Sequence, residues 1–515
     1  MRFQLTLTAT VLLLAHAPHV FAQAAAAPPA PAAAPDAASA PPVAAEPAPA
    51  PAPFVAPPAP PPAPMVAPLP PPPAVAPPEP KVGNDPLNSG PQPVMGKWGS
   101  TLYGFVEFDA IHDSTQPLAV TTINEMDGNA AIARPDTNKY QANNGQTLFG
   151  ARNSRIGFKL NAPEMNGIKA SAILEMDFFG NQPTTASQGA LITNAGLRTR
   201  HMAIKIEDPI VDVLLGQYWG LFGWQGAFHP NSVQVQGVPG EVFGRTPQAR
   251  LSKTIKSDAV NFDIAIAASR PPQRNAELPD GQAGLKLTIN SWKGIHTAGS
   301  AGTSVDGLAI GVSGTARRFV LPSLGGVQQS KRNGMGLSID ALLPVIPATM
   351  DNRANGLTLT GSFVTGTGIS DLYTALNGGV GFPAPPNPNM TMPAPTYAAD
   401  IDNGMITYDA GGHAHTIDWQ SYIVGIQYYL PPSGKVFISA NYSGMKSDNA
   451  ASYVADTAAA KGKIFNKFYW GDVNLFADLT GAVRLGAEYA YFHQTYADGV
   501  AAKSTRLQFS GFYIF

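Results

Sequence analysis

The chain has 515 residues, 13% of them charged, with 51 Gly, 50 Pro and no Cys, and 33 Lys plus Arg stand against 35 Asp plus Glu. That length exceeds one ordinary soluble core, and the near-neutral balance argues against nucleic acid as a partner. The absence of cysteine removes disulfides from the argument and is compatible with an envelope protein that does not rely on them.

Residues 1–22 begin with a basic residue, Arg2, pass through an apolar centre at residues 11–14, and end on Ala22 with Val20 two positions before it. This is the pattern of a secretory signal peptide. No later run reaches the roughly 18 apolar residues of a membrane helix. A membrane domain in this chain must therefore be a β-barrel, the other structure that satisfies its own backbone in lipid. Residues 23–97 follow as an arm, almost entirely Ala and Pro as far as Pro80, with Asp36, Glu46 and Glu79 as the charges of that stretch. Proline at this density blocks helices and sheet ladders, so the arm is predicted to be extended or disordered. It serves either as a periplasmic spacer that reaches the cell wall or as a linker without a partner.

Residues 98–515 change to short alternating segments separated by Gly, Asn, Asp and Pro, the repeated signal of barrel strands. Leu102, Val106, Phe108 and Ala110 alternate with Tyr103, Phe105, Glu107 and Asp109, which places the carboxylates inward. Ile156, Phe158 and Leu160 then face outward against Arg155, Gly157 and Lys159, and in residues 168–179 Glu175 and Asp177 lie opposite Leu174, Met176 and Phe178. Segments 197–206 and 210–219 are ambiguous in phase, because Met202, Ile204 and Ile206 share parity with Arg198 and Arg200. Further strands are predicted at 249–255, 260–266, 282–290, 308–317, 335–343, 357–364, 418–430, 435–442, 469–478, 483–492 and 504–515. The predicted fold is an all-β transmembrane antiparallel barrel of about sixteen strands, an even number as single-chain bacterial barrels have.

The connections alternate between short turns, such as 163–167 and 431–434, and long loops, such as 113–150, 220–247, 366–416 and 444–465. Short turns belong to the periplasmic side and long loops to the outside. Two expected turns, 291–305 and 344–355, are longer than this scheme requires. In the last strand Leu507, Phe509, Gly511, Tyr513 and Phe515 share the lipid face while Arg506, Gln508 and Ser510 face inward. Phe515, with Tyr513, reads as an assembly signal for the barrel-assembly machinery that inserts such chains into outer-membrane lipid.

The runs Asn153-Ser154-Arg155-Ile156-Gly157-Phe158-Lys159, Leu174-Glu175-Met176-Asp177-Phe178-Phe179-Gly180, Leu197-Arg198-Thr199-Arg200-His201 and Gly216-Gln217-Tyr218-Trp219 resemble the DcaP-like outer-membrane porins. Thr246-Pro247-Gln248-Ala249-Arg250 and the run from Leu357 to Gly368 continue the resemblance, which spans residues 98–515. It implies a homotrimeric, sixteen-stranded diffusion channel for small, preferentially anionic solutes such as dicarboxylates, located in the bacterial outer membrane and needing no cofactor. Members of that family carry a coiled-coil segment before the barrel, and here the Ala/Pro arm stands in its place.

A diffusion channel works by geometry and field, so inward charges at its narrowest section are the candidate site. The basic candidates are Arg155, Lys159, Arg198, Arg200, Arg245, Arg250, Lys256, Arg317, Arg484 and Arg506. The acidic ones are Glu107, Asp109, Glu175, Asp177, Glu241, Asp263, Asp340, Asp472 and Glu488. They form either a transverse field, basic wall against acidic wall, or pairs that neutralise one another across the wall. Residues 220–247 are best placed to fold inward as a constriction loop, with Trp224, Phe228, Phe243, Glu241 and Arg245 at the eyelet and Gly237, Gly240 and Gly244 permitting a tight path. The alternative is an external flap.

Enzyme chemistry finds little support. His413 and His415 form a His-Ala-His run without further ligands at metal spacing, and no Gly-x-Ser-x-Gly elbow is present. Neither a catalytic residue nor a metal site is expected. A non-conducting structural or adhesin barrel, tethering outer membrane to cell wall, is the other reading.

Overall fold

The computed structural model describes residues 99–115, 132, 134–136, 140–180, 196–233, 238–273, 276–322, 329–373, 404–409, 413–453 and 456–515. The expected signal peptide, 1–22, and arm, 23–97, lie outside the described residues.

Sixteen antiparallel strands close into a barrel. They are β1 (Gly99–Asp113), β2 in two runs (Gln146–Gly150 and Arg155–Asn161), β3 (Lys169–Gly180), β4 (Gly196–Glu207), β5 (Asp212–Trp219), β6 (Arg245–Lys256), β7 (Val260–Ser269) and β8 (Asp280–Ala298). The second half comprises β9 (Gly302–Pro322), β10 (Gln329–Ile346), β11 (Leu357–Thr367), β12 (Asp418–Tyr429), β13 (Val436–Lys446), β14 (Phe465–Asp478), β15 (Val483–Tyr496) and β16 (Ala501–Ile514). Each strand pairs with its sequence neighbours, and β16 returns to β1 with Ile514 opposite Phe105 and Arg506 opposite Asp113. Closure leaves no free edge, so the backbone needs no water at membrane depth. The last residue joins the ladder, exchanging hydrogen bonds of 2.9 and 3.0 Å with Gly104. Only glycine fits there, because a Cβ would sit 2.1 Å from the Arg155 carbonyl oxygen.

The period-two pattern sets the two faces. Val106, Phe108, Ile204, Ile266, Val424, Val473 and Leu507 are exposed on the outside, together with Tyr422, Tyr442, Tyr489 and Tyr513. An apolar belt of this extent is stable in lipid and would aggregate in water. The interior of the barrel is not simply polar. Inward Trp419, Ile423, Met445, Phe468, Trp470 and Phe492, from β12 to β15, form a buried cluster with Phe222, Val238 and Val242 of the loop after β5 and with Ile369, Leu372 and Tyr373 of the segment after β11.

Two irregularities shape the inner wall. In β4 the register shifts so that His201 lies opposite Glu175 and Thr199 opposite Met176. This bulge leaves both Arg200 and His201 buried inside while Met202 and Ile204 are exposed outside, which resolves the parity conflict of the sequence. The expected turn at 291–305 is instead mostly strand: β8 continues to Ala298, β9 begins at Gly302, and the register steps between Gly307 and Leu308.

Candidate functional site

In the loop after β5 the described residues, 220–233 and 238–244, enter the lumen and reach across it. The start of the loop is fixed by the inner wall of β8 and β9, where the Leu221 amide donates to Gln282 Oε1 (2.8 Å) and the Gly223 amide to Ser313 Oγ (2.7 Å). Its far side reaches the opposite wall: Ser232 Oγ donates to Glu488 Oε2 (3.0 Å), the Val233 amide to Asn474 Oδ1 (2.9 Å), and Gln508 Nε2 to the Val233 carbonyl (3.1 Å). Three inward glycines in adjacent strands make room for its aromatic side chains. A Cβ at Gly284 would lie 3.0 Å from Trp224, one at Gly311 2.7 Å from Trp224, and one at Gly336 2.8 Å from Phe222. Trp224 and Phe228, expected at the eyelet, thus pack on the wall and anchor the loop, with Trp224 Nε1 donating to the Leu285 carbonyl (3.1 Å). Phe243 stands at the opening, 4.9 Å from the Trp219 ring. Gly237 lies outside the described residues.

On the wall from β2 to β6 the basic side chains gather. Arg198 makes a bidentate pair with Asp177 (2.6 and 2.9 Å). Arg200, delivered by the bulge, bridges Glu175 (2.6 Å) and Asp177 (3.2 Å). Arg155 adds a 3.6 Å contact to Glu175 and lies 5.0 Å over the Phe105 ring. Arg245 differs from these: it stacks over Trp219 (4.9 Å) and Phe243 (5.2 Å), and no described carboxylate pairs with it. Arg250 donates to Gln248 (3.0 Å) and to the Trp219 carbonyl, again without an acid. Stacking on an aromatic face holds a guanidinium in place while leaving its charge uncancelled. Two spaces lie beside this wall. A cavity of about 120 Å³ is lined by Arg155, Arg200, Trp219, His229, Glu241 and Phe243, and a vestibule of about 400 Å³ is lined by Lys159, Lys205, Asp212, Tyr218 and Arg250.

The other sequence candidates do not meet at this opening. Arg317 is buried between Asp280 (2.6 Å) and Asp371 (2.5 Å), Arg484 pairs with Asp478 (2.6 Å), and Arg506 pairs with Asp113 (2.8 Å). These three form buried ion pairs with acids outside the candidate set, Asp280, Asp371, Asp478 and Asp113. Lys256 is exposed at the end of β6, and Asp263 contacts Lys286 (3.4 Å) and accepts from Thr254. The acidic wall is covered over. Asp472 accepts from Asn441 and Asn474 (both 2.8 Å), Glu488 from Ser232, and Asp340 from Ser338 (2.8 Å) and Ser362 (2.6 Å), all buried. Glu107 accepts from Asn153 (2.7 Å), Asp109 from Ser510 (2.6 Å), and Glu241 sits against His229. Sequence reasoning missed the aromatic and histidine partners of the arginines, Trp219, His201 and His229, because strand parity alone does not place residues at strand ends or bulges. In the hairpin after β11, His413 and His415 both hydrogen-bond Asp409 (3.2 and 3.0 Å). Among the described residues, no group of three or more His, Cys, Asp or Glu is arranged to hold a metal ion.

Neither a protein-family model nor a curated protein matches the sequence. Among solved structures, the chain is similar to the outer membrane channel DcaP of Acinetobacter baumannii, with 16% identity over 83% of this chain and 100% of that chain and a TM-score of 0.57. It is also similar to the trimer form of OmpT from Vibrio cholerae (11% identity, 82% of this chain and 100% of that chain, TM-score 0.44). A third is the anion-selective porin from Comamonas acidovorans (12% identity, 81% and 100%, TM-score 0.44). With its closed sixteen-stranded barrel and apolar belt, the chain is a transmembrane β-barrel with the fold of the outer membrane channel DcaP.

Proposed function

We propose that the chain is a passive diffusion channel for small hydrophilic solutes that favours anions of the dicarboxylate kind, working as a homotrimer. The observation that carries this reading is Arg245, a half-buried guanidinium beside the lumen cavity, stacked on Trp219 and Phe243 with no described acid to cancel it. Arg250, Lys159 and Lys205 continue the same sign into the vestibule, where they outnumber the one lining acid, Asp212, whereas Asp340, Asp472 and Glu488 are buried. A solute that sheds water to enter a narrow section needs fixed opposite charge to replace its hydration, and here that charge is positive. Trimer assembly follows from the resemblance to DcaP-like channels, and Phe515 with Tyr513 supplies the assembly signal at the end of β16.

The reading is tested by reversal potentials of purified protein in a salt gradient. A unit charge about 6 Å from the path in water-like dielectric favours an anion by about 0.7 kcal/mol and disfavours a cation by the same amount, so Arg245→Ala is expected to lower the anion-to-cation permeability ratio by up to about tenfold. Arg250→Ala shifts it in the same direction. Unchanged reversal potentials in both variants would contradict the assignment.

A further inference from the structure

The expected turn between β8 and β9 is a hairpin of residues 293–307 that leaves the barrel wall and folds inward from the end carrying the short turns and both barrel termini. The regular wall stops at Asn290, whose amide closes the neighbouring turn by donating to the Ala259 carbonyl (2.7 Å). The register step then supplies the extra residues that redirect the chain. Gly294 and Gly307 mark the bend, where a Cβ would come within 2.6 Å of the Pro344 side chain and of the Ile289 carbonyl oxygen.

Beyond the bend the hairpin is docked, not trailing. Ile295, His296 and Thr297 are buried. Thr297 exchanges backbone bonds with the Gln427 side-chain amide (2.9 and 3.0 Å), and Thr358 Oγ1 donates to the Ile295 carbonyl (2.6 Å). Ile295 and Val305 pack with inward Tyr429, Phe437 and Phe476 and with Val233 of the constriction loop. At the tip, the Gly299 amide donates to the Pro230 carbonyl of that loop (3.1 Å), and Arg484 donates to the Ser300 carbonyl (2.9 Å). The tip residues Gly299, Ser300 and Ala301 line the same 120 Å³ cavity as Arg155 and Arg200.

Resting on the reading of the chain as a diffusion channel, we propose that this hairpin is the second jaw of the constriction and sets its size limit, with Arg484 as the latch that holds the tip. The outer loop closes the far half of the lumen from above, the hairpin seals the same half from below, and solutes are confined to the strip between the hairpin tip and the arginine wall. Charge selection stays with the arginines and size selection with the tip.

The test is single-channel recording with neutral polymers of graded size in purified full-length protein and two variants. In the first, residues 296–304 are replaced by Asn-Gly, a two-residue turn that suits the pairing of Ile295 with Val305. Conductance is expected to rise about twofold and the polymer cut-off to increase, because pore width sets both, while the reversal potential stays at the native value. The second is Ser300→Cys, the only cysteine in the chain, whose reaction with a bulky thiol reagent is expected to lower conductance. This variant decides the matter if the shortened hairpin does not assemble. A folded, shortened channel with native conductance and cut-off, or a fully labelled Cys variant with unchanged conductance, would overturn the hairpin's role. Absence of conductance in the native protein would instead overturn the channel reading itself.

Discussion

Arg245 and Arg506 are both inward arginines of the same barrel, and their surroundings make them answer substitution differently. Arg245 rests on two aromatic faces with no described acid beside it, so under the proposed reading its loss is expected to cost selectivity and little structure. Arg506 is buried with its Nε 2.8 Å from Asp113, across the seam where β16 meets β1. Arg506→Ala leaves a buried carboxylate without its cation, a change that costs about 3–5 kcal/mol. Its expected signature is a lowered unfolding temperature of the detergent-solubilised barrel with an unchanged reversal potential; a shifted reversal potential at native stability would assign Arg506 to the pore instead. The difference between the two was hidden in the sequence. Asp113 and Arg506 are separated by almost the whole barrel, and which acid neutralises which base is decided by closure, not by spacing along a strand. Likewise Asp472 and Glu488 read as an acidic wall, yet Asp472 is satisfied by Asn441 and Asn474 of the wall and Glu488 by Ser232 of the loop.

The individual strands were legible because a barrel wall between lipid and lumen imposes strict alternation, and each expected segment coincides with a strand of the structure, five of them overrunning an end by one or two residues. Legibility failed where alternation was broken or where both faces were apolar. The bulge at Arg200 and His201 reverses the parity of β4, and Trp419, Trp470 and Phe492 face inward because loops inside the barrel give them an apolar core. The inward hairpin of residues 293–307 appeared only as a turn of excess length. Glycine carries the clearest element-scale signal: Gly284, Gly311 and Gly336 are bare inner-wall positions into which the loop's aromatic side chains press. Gly311→Leu is accordingly expected to lift Trp224 and Phe228 off the wall, an overpacking cost of about 1–3 kcal/mol. Single-channel traces should then show a larger or fluctuating conductance, whereas native traces would show that the loop does not depend on this seat.

At the scale of the whole molecule, the barrel closes a wide cylinder and then fills much of it. Strands β11 to β16 carry an internal core built on the constriction loop, the segment after β11 and the inward hairpin, while strands β2 to β6 keep open space beside their basic side chains. Under the proposed channel reading, this division narrows a sixteen-stranded barrel, wide enough for an aqueous channel, to a strip beside the basic wall. Buried apolar contacts and hydrogen bonds fix the filled side, and under the proposed reading they leave the arginines of the other side to meet the solute. A structural barrel without transport would need no such open strip. The most direct measurement is planar-bilayer recording of the purified native protein in a salt gradient: stable open conductance with a reversal potential of anion-preferring sign is predicted. Absence of conductance, or a cation-preferring potential, would contradict the account.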